Sequence, residues 1–257
     1  MKKIFFIGCA VCIMLGTGAC RPKEQGNIVS SSKIYSGPDN SENSVDWDGV
    51  YNGVIPCADC PGIQVQITLS PDNTYKMNYL YMSREPFEKK YKGSFKWSMD
   101  GGSITLDNED KTSFIVGENL IIQLDTNGKI ITGELADSYI LVKVDTRLTD
   151  KRWKLTEFKG NPVTAAGTKS AYITFNSKDT RVFGNSDCNS FSGTYQLKRA
   201  NRLLFSETVF TQKMCTNMDI ENKLREVFRT VESYTIERNT LILHSKETTP
   251  LARFTAE

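Results

Sequence analysis

The chain has 257 residues, 39% of them hydrophobic and 10% aromatic, enough for one or two buried cores at about 100–200 residues per domain. Charge is nearly balanced, 32 basic against 30 acidic residues, and there is a single histidine, which excludes a histidine metal cluster. No GxSxG elbow, phosphate-cradling loop or dinucleotide fingerprint is present, so the common motif-bearing enzyme classes find no support.

At the N-terminus, Lys2 and Lys3 precede an apolar run from Ile4 to Leu15, too short to span the ~30 Å hydrocarbon core of a bilayer. Gly16-Thr17-Gly18-Ala19 then lead into Cys20. Small residues before a cysteine resemble the lipobox of a bacterial lipoprotein signal, in which residues 1–19 are removed and Cys20 becomes an acylated N-terminus. That resemblance implies a membrane partner reached through lipid chains, at ~0.8 kcal/mol per buried methylene. It places the protein in a Gram-negative cell envelope. Arg21 stands where an aspartate commonly signals inner-membrane retention, which favours the outer membrane. Export also removes nucleic acid as a partner.

Residues 20–45 are polar and rich in Ser, Asn, Gly and Pro, the composition of a flexible tether. From residue 46 the pattern alternates. Gly49–Val54 reads as a strand, and Ile63, Val65, Ile67 and Leu69 line one face of the next. Turn signals at Ser70–Asn73 and Asp100–Gly102 separate further strands at 75–82, 91–99, 104–106, 113–116, 120–124 and 139–144. About eight short strands without a helix predict a small antiparallel β-barrel over residues 46–145. A polar joint follows at Thr146–Thr149. The second half, residues 146–257, returns to strands at 153–158, 171–175, 181–184 and 191–197. Asp219 to Val231 reads as a helix, with Ile220, Leu224, Val227, Phe228 and Val231 in one apolar stripe. Strands at 233–237, 240–243 and 251–254 complete an antiparallel sheet with one helix, an α+β domain. The fold class is therefore mainly β.

The two halves carry opposite charge. Asp46–Asp145 holds 9 basic and 15 acidic residues, and Thr146–Glu257 holds 18 basic and 12 acidic. An electrostatic contact between the domains is the expectation.

Cys9 and Cys12 lie in the signal and Cys20 is the lipidation site. Cys57, Cys60, Cys188 and Cys215 remain, and four cysteines allow three pairings. In an oxidising compartment disulfides are the default, and the natural pairing is within each half, Cys57–Cys60 and Cys188–Cys215. The longer loop makes Cys188–Cys215 the structural staple. The short one makes Cys57–Cys60 the better candidate for function, because a strained, exposed bond is easier to reduce.

The stretch "GVYNGVIPCADCPGIQVQITLSPDNTY", Gly49 to Tyr75, with "KGSFKW" further on, resembles the N-terminal domain of the NlpE family of envelope lipoproteins. The resemblance implies a lipocalin-like barrel with the CxxC near its rim, and a link to copper resistance and envelope stress signalling. "WKLTEF", "RVFGNSDCNSFSGTY", "FTQKMCTNMDIENKL" and "LILHSKETTPLARF" resemble a META (HslJ-type) domain. That family usually carries glycine directly before its first cysteine, where this chain has Asp187.

Several chemistries compete for Cys57 and Cys60. Thioredoxin-like catalysis needs a cysteine at a helix N-terminus, and both flanks here read as strand. Zinc would need four ligands. Copper(I), which is soft, needs only two thiolates, so reduced Cys57 and Cys60 are its candidate ligands, with Asp59 outside them. A turn-closing disulfide is the plainer reading, with no cofactor. Met214 and Met218 beside Cys215 read as core filling rather than a metal patch, and His244 as a solvent-facing strand residue opposite Leu241 and Leu243. The expectation is a lipid-anchored, non-enzymatic envelope protein that senses stress or tolerates copper through the CxxC turn and an unidentified envelope protein partner. The alternative is a small-ligand-binding barrel or a structural envelope protein.

Overall fold

The structure, a computed structural model of the whole chain, describes residues 39–164, 170–206 and 208–257. The signal, Cys9, Cys12, Cys20 and most of the expected tether lie outside these residues.

Eight antiparallel strands form the first sheet: β1 (Gly49–Ile55), β2 (Ile63–Leu69), β3 (Thr74–Tyr81), β4 (Phe87–Trp97), β5 (Ser103–Leu106), β6 (Ser113–Gly117), β7 (Leu120–Gln123) and β8 (Ile140–Lys143). Each pairs with its neighbour in sequence, and Tyr51 of β1 pairs with Lys143 of β8, so the sheet closes into a barrel. The alternation seen in the sequence is the alternation of inside and outside. Val65, Ile67 and Leu69 point inward from β2, Tyr75 and Met77 from β3, Phe114 and Val116 from β6. Together with Tyr51, Ile55, Phe95, Ile104, Leu106, Ile121 and Leu141 they form one buried cluster that fills the interior. Each such side chain contributes about 1.5–3 kcal/mol when fully buried.

One end of the barrel is plugged by the segment before β1. The tether expected to run to residue 45 yields to ordered structure from Asp39 onward. Ser41–Ser44 is a single helical turn, α1, with a capping box between Asn40 and Asn43. Ser41 Oγ donates to the Val116 carbonyl and Glu42 N–H to the Gly101 carbonyl. Trp47 then stacks edge-on against Phe95 and Trp97. The polar residues of this stretch give no reason of their own for order. What orders it is the barrel floor, which accepts its hydrogen bonds and receives the Trp47 ring.

The second sheet holds β9 (Arg152–Phe158), β10 (Asn161–Pro162), β11 (Tyr172–Phe175), β12 (Arg181–Asn185), β13 (Ser190–Lys198), β14 (Arg202–Phe205), β15 (Val209–Phe210), β16 (Ser233–Glu237), β17 (Thr240–His244) and β18 (Pro250–Ala256). It runs β9-β11-β12-β13-β14-β16-β17-β18 and returns to β9 through the β18–β9 ladder, with β10 and β15 as short additions. The helix α2, Asp219–Thr230, carries the expected stripe. Leu224, Val227 and Phe228 are buried, and the Phe228 ring lies against Phe191, Phe205 and Phe210. Asp219 and Glu221 in its first turn complement the helix dipole.

The two cores are separate clusters, yet residues 39–257 belong to one compact unit. Gln66 on the outer wall of β2 donates through Nε2 to the carbonyls of Ser177 and Lys178 and to Asn52 Oδ1. Among the described residues one ion pair crosses between the sheets, Arg199–Asp137 at 3.1 Å.

Candidate functional site

Pro56 ends β1 and Gly62 precedes β2, so the stretch 56–62 is a tight loop at one end of the barrel. Within it Cys57 and Cys60 are joined by a disulfide, their Cα atoms 5.3 Å apart. Both are half-buried, while Ala58 and Asp59 are exposed at the tip. The flanks are strands, as read from the sequence, so no helix N-terminus is available to activate either sulfur. Asp59 Oδ1 lies 3.3 Å from Cys57 Sγ, and the Gly62 carbonyl lies 3.3 Å from Cys60 Sγ. Ligand atoms of Cys57, Asp59 and Cys60 all fall within 4.8 Å of one another. While the bond is closed the sulfurs are not thiolates, so this set fits a soft cation only after reduction.

The loop is fastened to the next hairpin. The Met82 N–H donates to the Gly62 carbonyl at 3.1 Å. A Cβ on residue 62 would lie 2.9 Å from both Met82 Cε and Val54 Cγ1, so glycine there allows the loop to settle onto the β3–β4 turn. That hairpin carries an aromatic cluster the sequence reading did not single out. Tyr81 stacks on Phe87 with centroids 4.3 Å apart, Tyr79 meets Tyr91 edge-on at 5.8 Å, and Lys89 Nζ sits 5.3 Å from the Tyr81 centroid. Burial, with the nearby Tyr91 hydroxyl second, pushes the Tyr79 phenol up to about 12. Aromatics two apart in β3, at Tyr79 and Tyr81, and again across the hairpin at Phe87 and Tyr91, were the available signal.

Cys188 and Cys215 are also joined, with Cα atoms 6.2 Å apart. Beneath that bond lies Glu221, 2% exposed. Its Oε2 accepts from Ser186 Oγ and Asn189 Nδ2, and its Oε1 from Arg225 Nε and Nη2. Asn189 Oδ1 in turn accepts from Thr211 Oγ1 and the Lys213 N–H. This network ties the Cys215 loop, the β12–β13 loop and α2 together. A carboxylate on the apolar stripe of the helix was its sign in the sequence. Met214 corrects the core-filling expectation: its side chain is fully exposed. His244 is half-buried at the end of β17, with Nε2 2.9 Å from Thr235 Oγ1 and Nδ1 3.1 Å from the Thr248 carbonyl.

The spacing of the CxxC turn, the closed barrel and the sheet with its stapled helix can be set against known proteins. A family model of the NlpE N-terminal domain matches residues 51–134, and one of the META domain matches residues 146–257. Each half of the chain is thus similar to a known domain family. Neither is an enzyme family. Lipoprotein NlpE of Escherichia coli is 30% identical over 86 residues, which is 33% of this chain and 36% of that protein. The chain thus spans about a third of the curated relative it matches. A Shewanella oneidensis protein of known crystal structure is 46% identical over 41% of this chain and 95% of its own, with a TM-score of 0.39. The crystal structure of Escherichia coli NlpE, described as the Cpx pathway activator, is 18% identical, covers 66% of this chain and 98% of its own, and has a TM-score of 0.30.

Proposed function

We propose that this protein is a lipid-anchored component of the Gram-negative envelope, held at the outer membrane through Cys20, that reports redox stress through the Cys57–Cys60 turn to an envelope protein. It works without catalysis. The observation that carries this reading is the bond from Met82 N–H to the Gly62 carbonyl, which couples the disulfide loop to the exposed β3–β4 hairpin. Opening the bond consumes two equivalents of a thiol reductant: each Cys sulfur gains an electron and a proton, and the reductant leaves as its own disulfide. The loop then loses its covalent closure, and the hairpin it rests on is free to shift. The curated relative supports the setting, since it is named a lipoprotein.

A second reading rests on the three donor atoms of Cys57, Asp59 and Cys60. Reduced, the two thiolates would hold copper(I), and the same turn would report the metal. The small-ligand alternative is disfavoured by the barrel interior, which side chains fill.

Amide spectra of the oxidised and reduced full chain test the first reading. Shifts are expected at Met82 and along the β3–β4 turn; shifts confined to residues 56–62 would overturn it. Copper(I) titration of the reduced protein beside a Cys57→Ser/Cys60→Ser variant tests the second, and equal weak binding by both removes it.

A further inference from the structure

The barrel closes over only part of β4. Phe95, Lys96 and Trp97 pair with β5, and there the ladder is ended by Asp107. Its N–H donates to the Ser94 carbonyl, and its Oδ2 accepts from Ser94 N–H and Oγ. A Cβ on residue 93 would collide with the Asp107 carboxylate, so Gly93 makes room for this clasp. Beyond it, Phe87 to Gly93 pair with β3 alone among the described residues, and Phe87 to Lys92 are all exposed.

Which groups face the gap follows from antiparallel alternation. Ser94 presents its N–H and carbonyl to the β5 side. So do Lys92, Lys90 and Glu88, two, four and six residues earlier. Side chains alternate as well. Phe87 and Tyr91, 48% and 37% exposed, share the inward face with their cross-strand partners Tyr81 and Met77, and Lys89 between them lies over the Tyr81 ring. Glu88, Lys90 and Lys92 stand on the outer face. The charge is local: six of the nine basic residues of the acidic lobe fall between Lys76 and Lys96, against only Glu85 and Glu88. Glu88 is itself paired with Lys90 at 2.6 Å.

We propose that the open edge of β4 is a docking strand for an extended acidic segment of another protein, which adds to the barrel through main-chain hydrogen bonds to Glu88, Lys90 and Lys92. A second copy of the edge does not neutralise its surplus of lysine: antiparallel pairing about Lys90 sets Lys90 against Lys90, with Glu88 opposite Lys92 on either side. The chain's own residues 21–38 carry Arg21, Lys23 and Lys33 against Glu24, so they are basic too. A strand with carboxylates on one face and apolar residues on the other satisfies both faces of β4: the acids meet Lys90 and Lys92, and the apolar side chains cover Phe87 and Tyr91. The edge is set by where Asp107 ends the β5 ladder and not by a contact with the Cys57–Cys60 turn, so this assignment stands apart from the redox reading.

The test uses the full chain and a short synthetic peptide of alternating glutamate and valine, with a lysine–valine peptide as control. Hydrogen exchange is expected to slow at the amides of Glu88, Lys90 and Lys92, and affinity to fall with salt. Lys90→Glu with Lys92→Glu is expected to weaken binding about tenfold, from the loss of two cross-strand charge pairs. Lys90→Pro removes an outward donor and leaves the β3 ladder whole, so it is expected to abolish the protection while the thermal melt is retained. No binding, equal binding of the lysine peptide, or binding without protection at those three amides would overturn the proposal.

Discussion

Asp187 occupies a backbone position that suits glycine. Its φ is 81°, in the left-handed region where a Cβ crowds the following carbonyl at a cost of roughly 1–2 kcal/mol. The residue is 8% exposed, and its Oδ1 has no hydrogen-bond partner. The META resemblance set glycine at this point, and the φ angle gives the physical reason. Asp187→Gly relieves the backbone and removes an unpaired buried oxygen, against a larger entropy loss on folding for glycine. The expected outcome is a gain of about 1 kcal/mol, read as a higher midpoint in urea with the slope unchanged. The cysteine pairing beside it was legible from residue count, compartment and the division of the chain into halves. Glu221 was not, because a carboxylate on an apolar stripe reads as an interruption until Ser186, Asn189 and Arg225 are seen converging on it.

Among the elements, those with a clean period were readable from the sequence. The alternation of Ile63–Leu69 and the stripe of α2 match the structure within a residue or so. The misses are short or held from outside: β10 and β15 have two residues each and β14 four, β4 begins at Phe87 rather than at residue 91, and α1 depends on carbonyls of Val116 and Gly101 far along the chain. The free edge of β4 is likewise tertiary, since it is set by where Asp107 ends the β5 ladder. The two disulfides differ at this scale. Closing about 28 residues is worth ~3.5 kcal/mol and closing about four ~2 kcal/mol in the chain-entropy account. Cys188–Cys215 also holds the loop leading into α2. Replacing Cys188 and Cys215 by alanine is therefore expected to lower the denaturation midpoint of the second sheet more than Cys57→Ser/Cys60→Ser lowers that of the barrel. Tryptophan fluorescence follows both, through Trp153 in one and Trp47 and Trp97 in the other.

For the molecule as a whole the joint is Asp145. Burial acts to raise its carboxyl, but hydrogen bonds from the Arg147 side chain and backbone outweigh this and hold it below the usual carboxylate range. Tyr234 of β16 donates to the same carboxyl at 3.1 Å. A carboxyl lowered on folding stabilises the protein fully above its unfolded value, near 3.9. That contribution is lost as pH falls through the folded value, where the native state also takes up its proton. Asp145→Asn is thus expected to cost about 1 kcal/mol at neutral pH and to flatten the acid limb of stability below about pH 4, as measured by thermal melts across pH. The loops of the barrel fall at two poles, because its strands run alternately up and down. The loops holding Gly101 and Asn119 are at one pole, and those holding Cys60 and Met82 at the other. The chain enters beside Gly101. Tension applied through the N-terminus would therefore load α1 and the floor first, leaving the sulfur-bearing turn mechanically slack at the far tip.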